Sequence, residues 1–380
     1  MKVLLPLMLA ASVALQAAES PRQRAFTLLW AARYAEARAA FEEILRQEPG
    51  DASARLGLAQ SYYWPGDYQR ALREFERVLE LQPSNAEARK AVEEIRAASR
   101  PGFAVEANAI DDDQPYRGAG TEARVFFFSD PLTTWEIRGG GSRLRALGET
   151  QSTAGIALAG ETTLPSIRTR VRAGLGYFRF PDGDARLLPS MRLQFSSLTL
   201  LAERRPLLRS APALRTHASA DVLSARWGRT SGSGMQYAIA AEQLRYFDRN
   251  RGWGADGYVL APVSRAFSFG ASAAFRDTRE SRFDSGFGSG RYDPYYTPRQ
   301  LAEARAVGAF TLTRGRLSAS THLDAGIAHE RAAGRFVPWR ASLSLTMRVA
   351  PDVAFSATAS HDSTAFYHAN EIHAGLAGRF

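Results

Sequence analysis

Hydrophobic and polar residues follow two different periods along this chain, and the change falls near residue 100. After Pro101 the two classes alternate, as in the window 339–349, which reads WRASLSLTMRV with apolar residues at the odd positions. Alternation of this kind is the period of a β-strand that has one apolar and one polar face. The second part of the chain is therefore predicted to be a β domain.

The alternation recurs in sixteen windows, and we predict a strand in each. Short turns such as 129–131 and 165–166 separate them at one end, and longer segments such as 206–216 and 277–301 at the other. An even strand number with short turns on one side and long loops on the other is typical of an outer-membrane β-barrel, whereas a soluble β-sandwich has no reason to separate its loops in this way. The predicted strands are 102–110, 118–128, 132–143, 152–164, 167–179, 187–196, 198–205, 217–228, 235–247, 253–261, 266–276, 302–312, 316–329, 337–349, 353–362 and 370–380.

Before residue 100 the chain repeats itself with an offset of 34 residues. The offset pairs aromatic, small and proline positions, and we expect these residues to pack the repeats together: Tyr34 with Tyr68, Ala37 with Ala71, Phe41 with Phe75 and Pro49 with Pro83. The pattern resembles the tetratricopeptide repeat, a pair of antiparallel helices that serves as a binding scaffold. It predicts helices at about 20–31, 34–47, 52–64, 68–81 and 86–99.

The first residues have the features of an export signal. Lys2 gives a positive start, residues 3–15 are apolar, and Ala17 and Ala18 are small residues suited to cleavage. The predicted organisation is a signal peptide at 1–18, a periplasmic repeat domain at 19–100 and an outer-membrane barrel at 101–380. The fold class is α plus transmembrane β, with an antiparallel barrel of about sixteen strands.

Composition narrows the possible chemistry. The chain has no cysteine, which excludes disulfides, Cys-based metal sites and Cys nucleophiles, and we predict neither a metal nor another cofactor. The formal charge is +9, and all but two of the 48 basic residues are arginine. Such a charge can indicate nucleic acid as a partner, but the export signal argues against it.

Charged residues on the polar faces of the predicted strands would point into the barrel. Sixteen strands are enough to enclose an aqueous channel, so these residues are candidates for the path of a polar cargo, although each could instead form a structural pair with a neighbouring strand. The candidates are Arg124, Arg138, Arg168, Arg170, Arg172, Arg192, Arg276, Arg305, Arg340, Arg348, Glu122, Glu161, Glu203 and Glu303. They favour a neutral or anionic cargo.

A hydrolase at the outer rim is a second possibility. His361, Asp362, Ser363 and His368 supply the residue types of a hydrolytic site. Neighbouring residues on a strand point to opposite faces, however, so His361 and Asp362 cannot share a pocket without a bulge. We therefore predict that the protein is not an enzyme.

The whole architecture resembles a known family. Gly57-Leu58-Ala59 with residues 64–68 in the repeat, residues 292–298 before a strand, and a last strand that ends in Phe380 are similar to bacterial outer-membrane exopolysaccharide export porins of the cellulose and poly-N-acetylglucosamine type, and to the smaller YaiO-type barrels. Those exporters carry much longer repeat arrays.

The resemblance implies export of a polysaccharide through the barrel, in the outer-membrane lipid, with periplasmic envelope proteins docked on the repeats. Two alternatives remain open at this point. One is a non-conducting structural or assembly protein that recruits envelope partners, and the other is a rim hydrolase that acts on lipid or glycan.

Overall fold

The computed structural model describes residues 20–113, 116–146, 148–208, 211–280, 295–365 and 368–380. The chain forms two compact units, a helical one that ends at Ser99 and a β unit formed by Arg100–Ser129 and Thr133–Phe380. The predicted signal peptide, 1–18, lies outside the described residues.

Five helices form the first unit, as the repeat predicts. They are α1 (Pro21–Trp30), α2 (Tyr34–Gln47), α3 (Ala52–Tyr63), α4 (Tyr68–Leu81) and α5 (Ala86–Ala98). The residues before α3, α4 and α5 are Asp51, Asp67 and Asn85, whose side chains accept hydrogen bonds from backbone N–H groups of the first turn and so fix where each helix begins. None of the described helices has the length and apolar content needed to cross a bilayer.

Equivalent positions of the two repeats form the helical core. Ala37, Phe41, Ala71 and Phe75 are almost completely buried. The other four predicted packing residues lie further out. Tyr34 is half-buried and Tyr68 is exposed, while Pro49 and Pro83 are exposed in the turns between helices. The repeat therefore packs through its small and phenylalanine positions, and its prolines act by ending helices.

Seventeen strands form the part of the second unit that the structure describes. They are β1 (Gly102–Asp112), β2 (Tyr116–Asp130), β3 (Thr133–Ala146), β4 (Glu149–Leu164), β5 (Thr169–Arg179), β6 (Ala185–Phe195), β7 (Leu198–Pro206), β8 (Ser219–Thr230), β9 (Gln236–Tyr246), β10 (Arg251–Pro262), β11 (Phe267–Thr278), β12 (Leu301–Arg314), β13 (Leu317–Glu330), β14 (Gly334–Phe336), β15 (Trp339–Ala350), β16 (Val353–Ser363) and β17 (His368–Arg379).

The sheet closes on itself as an antiparallel barrel. Successive strands pair along the chain, and β1 pairs with both β2 and β17, from Gly102 opposite Arg379 to Asp112 opposite Ala369. The three-residue β14 pairs only with the end of β13, which also pairs with β15, so sixteen long strands make the wall. The predicted barrel fold and its strand number are confirmed.

The connections at the end remote from the termini are shorter than the sequence pattern suggested. The segment between the predicted strands 132–143 and 152–164 is largely taken up by β3 and β4, which continue to Ala146 and resume at Glu149, and part of the segment between the predicted strands 316–329 and 337–349 forms β14. Polar side chains do not stop a strand once its backbone is paired on both sides, so the strands extend beyond the apolar pattern. At this end the connections β7–β8 and β11–β12 contain the most residues, of which 209–210 and 281–294 lie outside the described part.

One face of each long strand is exposed and mostly apolar. Leucine, isoleucine, valine and alanine fill the middle of this outer face, and aromatic residues lie towards both ends: Trp135, Trp227 and Phe310 near the chain termini, and Tyr177, Trp253 and Trp339 near the opposite end. An apolar band between two aromatic girdles is the outer surface of a membrane barrel.

Candidate functional site

The inner face of the barrel carries the predicted polar residues. Thirteen of the fourteen candidates occupy strand positions that alternate with the exposed apolar residues. Arg138, for example, lies between Ile137, which is 47 % exposed, and Gly139, while Arg172 faces Glu161 and Arg192 on the neighbouring strands. The others on this face are Arg124, Arg170, Arg276, Arg305, Arg340, Arg348, Glu122, Glu203 and Glu303.

Arg168 is the exception, and its predicted position on the polar face of a strand is wrong. Residues Pro165–Ile167 form a 3₁₀ turn, and Arg168 follows it in a left-handed conformation with φ 51°. Because Pro165 favours the first position of a turn, strand β5 begins at Thr169 rather than at Ile167. Arg168 therefore lies in the connection and not on the inner wall.

Glycines widen one side of the lumen. A cavity of about 690 Å³ lies against strands β1–β7, where Gly120, Gly140, Gly155 and Gly174 line it together with Arg138 and other arginines. A Cβ on Gly140 would come within 2.4 Å of the backbone oxygen of Thr121. Glycine in a strand permits such close backbone approach and leaves space where a side chain would project.

Many of the inner arginines are neutralised by carboxylates. Arg124 bonds Glu106 at 2.6 Å and Arg172 bonds Glu136 at 2.7 Å. Arg305 lies between Glu303, at 2.8 Å, and Asp324, at 2.6 Å, with all three side chains nearly buried. These pairs stiffen the wall, as the structural alternative proposed, and their own charges are not free for a cargo.

Arg138 and Arg192 differ from the paired arginines. Both line the cavity, and neither guanidinium has a carboxylate within 4 Å among the described residues. Arg192 also lies directly opposite Arg172, and like charges that face each other across two strands destabilise a sheet. These two arginines are the cationic groups on this wall that remain available to a cargo.

A wall of hydroxyl groups, which the sequence analysis did not single out, lies on strands β13–β16. Ser320, Ser344 and Thr358 occupy facing positions, and Ser344 shares a hydrogen bond of 2.9 Å with Thr358. Ser318, Ser342, Thr346, Ser356 and Ser360 continue the same face. The signal was present in the sequence as repeated serine and threonine at the polar positions of windows 316–329, 337–349 and 353–362.

The β7–β8 connection folds into the barrel mouth instead of projecting outward. It contains a short helix, α6 (Ala211–Arg215), and its Leu214 is buried against inward-facing Tyr116, Leu144 and Phe178. The Tyr116 hydroxyl donates a hydrogen bond of 2.6 Å to the backbone oxygen of Leu208. The apolar residues of segment 207–214 were the available sign that this predicted external loop is packed.

His217 attaches the same connection to the β5–β6 turn. Its Nε2 lies 2.7 Å from Asp182 and its Nδ1 lies 3.1 Å from Asp184, while its ring packs on Phe180. The hydrogen bond with His217 is the main reason that the pKa of Asp182 lies below its ordinary value, and a hydrogen bond from the Asp184 backbone adds to it. The connection is thus held by apolar packing on one side and by polar contacts on the other.

The end of the β11–β12 connection also packs into the mouth. The Tyr295 ring stacks on inward-facing Tyr246 with 4.1 Å between centroids, and its hydroxyl donates a hydrogen bond to Asp248. Tyr296 is more exposed. The described parts of both connections thus pack against inward-facing residues at the end of the barrel remote from the chain termini.

The residues considered for a rim hydrolase are separated by the wall. His361 points outward, where its ring stacks on Trp339 with 4.6 Å between centroids and its Nδ1 contacts Asn370 at 2.9 Å. Asp362 points inward and forms an ion pair with Arg340. The strand alternation therefore holds here without a bulge, and the histidine and the aspartate do not form one site.

Comparisons with known proteins agree with both parts of the fold. A model of the tetratricopeptide repeat matches residues 28–95. No curated protein matches this chain in sequence. Among solved structures, a bacterial polysaccharide outer membrane secretin is similar, with a TM-score of 0.57 and 12 % identity over 74 % of this chain and 99 % of that one.

Other solved barrels are similar at a lower level. OpdK of Pseudomonas aeruginosa, solved with vanillate, has a TM-score of 0.40 and 9 % identity, covering 74 % of this chain and 98 % of its own. OccAB2 of Acinetobacter baumannii has a TM-score of 0.37 and 9 % identity with the same coverage. The protein therefore combines a region that matches the tetratricopeptide repeat with a closed antiparallel barrel of sixteen long strands.

Proposed function

We propose that this protein passes a polysaccharide outward across the cell outer membrane, and that the cargo is a neutral, hydroxyl-rich polymer. The observation that carries the proposal is the inner face of the closed barrel, where mutually neutralised charges on one side oppose a wall of hydroxyl groups on the other. Sixteen-strand barrels are wide enough to hold an aqueous channel, and an uncharged polar wall suits a hydrated sugar chain.

The chemistry of the wall explains the preference for a neutral cargo. Serine and threonine hydroxyls both donate and accept hydrogen bonds, as sugar hydroxyls do. The free energy of the polymer therefore changes little when it enters the barrel, because each hydrogen bond that it loses to water is replaced by a similar hydrogen bond to the wall. A strongly anionic polymer would meet the carboxylates that neutralise Arg124, Arg172 and Arg305.

The similarity in fold to a bacterial polysaccharide outer membrane secretin supports the same cargo class. The predicted signal peptide and the barrel topology support a periplasmic position for the repeat region, because both ends of an even-stranded barrel lie on the periplasmic side. There the repeats would serve as a docking scaffold for envelope proteins that deliver the polymer, and two repeats suit a short docking segment.

A non-conducting structural or assembly role is the second candidate. The packed β7–β8 connection favours it, since Leu214 and Tyr116 close part of the mouth. In that case the barrel would act as an anchor, and the repeats alone would recruit partners.

Electrical conductance of the barrel in a bilayer distinguishes polysaccharide transport from a non-conducting structural role. We would insert the full chain into planar bilayers and compare it with Leu214→Gln, which releases the connection from its apolar contacts. The control is Val337→Gln, because Val337 lies on another connection and is 66 % exposed. Heat-modifiable migration in SDS gels would verify that each barrel is folded.

Transport predicts low conductance for the wild type and the control, and higher conductance for Leu214→Gln. It further predicts that neutral oligosaccharides block the open Leu214→Gln pore reversibly. Folded barrels that stay silent in every variant would exclude transport and support the anchoring role.

A further inference from the structure

A row of arginines lies on the outer face of the barrel, where lipid is expected. Arg204 on β7, Asp221 on β8, Arg245 on β9 and Arg251 on β10 occupy directly facing positions on four neighbouring strands. We call these four residues the outer arginine row. They share the outer face with exposed apolar residues such as Leu223, which is two positions after Asp221.

The row carries an unbalanced positive charge. Arg204 holds Asp221 through two hydrogen bonds of 2.6 and 3.1 Å, and Arg245 faces the same carboxylate from β9 without forming an ion pair, so three arginines are placed around one carboxylate. Arg245 and Arg251 face each other directly, both are exposed, and neither has an ion-pair partner in the part of the chain that the structure describes. Two facing arginines without a shared anion destabilise a sheet, so the pair fits a ligand that supplies the missing negative charge.

The position of the row along the strands identifies the kind of ligand. Trp253 is 45 % exposed on the same face, two residues after Arg251, and aromatic residues mark the membrane interface in such barrels. Arg251 therefore lies about 6–7 Å beyond that interface, at the end of the barrel remote from the chain termini. This is the level of the lipid headgroups of the outer leaflet, where arginine side chains cost little free energy.

We propose that the outer arginine row binds a phosphorylated glycolipid of the outer leaflet, with a headgroup phosphate between Arg245 and Arg251. The planar guanidinium groups donate paired hydrogen bonds that match phosphate oxygens. The acyl chains would lie along the apolar outer face formed by residues such as Leu223 and Ile239, which are about 60 % exposed. The bound lipid would neutralise the facing arginines and fix the depth of the barrel in the bilayer.

Lipid retention by the detergent-solubilised full chain tests this proposal. We would titrate bis-phosphorylated lipid A and count bound molecules by native mass spectrometry, with the wild type compared with the double variant Arg245→Gln/Arg251→Gln. Arg229→Gln is the matched control, because Arg229 lies on the outer face of β8 near the opposite end. Heat-modifiable migration would verify folding of each variant.

We expect the double variant to bind lipid A at least about tenfold more weakly, which corresponds to about 1.4 kcal/mol, and the control to bind as the wild type does. Dephosphorylated lipid A should bind the wild type as weakly as lipid A binds the double variant. Equal binding by the wild type and the double variant would overturn the proposal, and so would equal binding of lipid A with and without its phosphates. Inorganic phosphate that displaces lipid A from the wild type at equimolar concentration would identify a free-anion site instead of a lipid site.

Discussion

At the level of single residues, Gly57 shows how closely the repeat helices approach each other. A Cβ at this position would lie 2.3 Å from the ring of Phe41, which is fully buried and packs edge-on against Phe26. The ring cannot move aside, so the α2–α3 contact requires glycine although glycine weakens a helix by about 1 kcal/mol relative to alanine.

We predict that Gly57→Ala lowers the thermal midpoint of the helical signal at 222 nm by several degrees, because overpacking a core costs about 1–3 kcal/mol. Gly50→Ala is the control, since a Cβ there meets no atom within 4 Å. An unchanged or raised midpoint for Gly57→Ala would show that helix propensity outweighs the contact.

Arg305 forms ion pairs with two nearly buried carboxylates, Glu303 on β12 and Asp324 on β13. Its removal leaves Glu303 without its cation, and Asp324 with the His322 ring at 3.4 Å, in a region where both carboxylate side chains are only about one-tenth exposed. Unpaired buried charge of this kind costs about 3–5 kcal/mol.

We therefore predict that Arg305→Met lowers the urea midpoint of barrel unfolding, measured by heat-modifiable migration in SDS gels. Arg348→Gln should leave that midpoint nearly unchanged, because Arg348 is exposed and has no ion pair among the described residues. Equal midpoints for the two variants would contradict the structural role of Arg305.

At the level of elements, the β7–β8 connection joins apolar packing to a titratable contact. Asp182 has a lowered pKa because of His217. The contact therefore stabilises the closed connection at pH values above the ordinary Asp value of 3.8, and this contribution is lost as the pH falls through that value towards the lower pKa.

We predict that conductance of the full chain rises as the pH is lowered from 5 to 3, and that His217→Ala already conducts at neutral pH and loses most of this dependence. Single-channel recording at stepwise pH measures both effects. A conductance that is independent of pH in the wild type would indicate that apolar packing alone holds the connection.

The elements also show what sequence reasoning can and cannot predict. The alternation of polar and apolar residues predicted the strands, because lipid on one side and water on the other impose a period of two. It could not predict where paired strands end, since Ala146 and Glu149 extend β3 and β4 through backbone hydrogen bonds that are independent of side-chain polarity. It also placed Arg168 on a strand, because periodicity does not register the turn that Pro165 begins.

At the level of the whole molecule, the candidate site depends on which charges are neutralised by other strands. The polar pattern placed every candidate arginine except Arg168 on the inner face, but it missed the inward-facing Arg186, Arg205 and Arg226. It also gave no sign that Arg138 and Arg192 lack carboxylate partners among the described residues, because partners such as Glu106 and Glu136 are assigned only by strand register and side-chain reach. The hydroxyl wall likewise becomes a surface only when β13–β16 lie side by side.

We predict that Arg138→Gln/Arg192→Gln shifts the reversal potential of the Leu214→Gln pore towards cation selectivity, because it removes two unneutralised positive charges from the lumen. The measurement is a bilayer recording under a KCl gradient. Arg124→Gln/Glu106→Gln is the control, since it removes a mutually neutralised pair and should leave the selectivity nearly unchanged. Equal shifts in the two double variants would contradict the assignment of free charge.

The pairing of β1 with β17 has a consequence for biogenesis. The first and last strands of the β unit bond each other, so the wall cannot be completed until the C-terminal residues have been synthesised and delivered to the membrane. Until then both edges expose unpaired backbone groups, which promote association with other chains. Contacts between such distant parts of a sequence form slowly. We therefore expect the nascent chain to need protection during its passage to the membrane, and truncation of the last strand to yield aggregates instead of a smaller barrel.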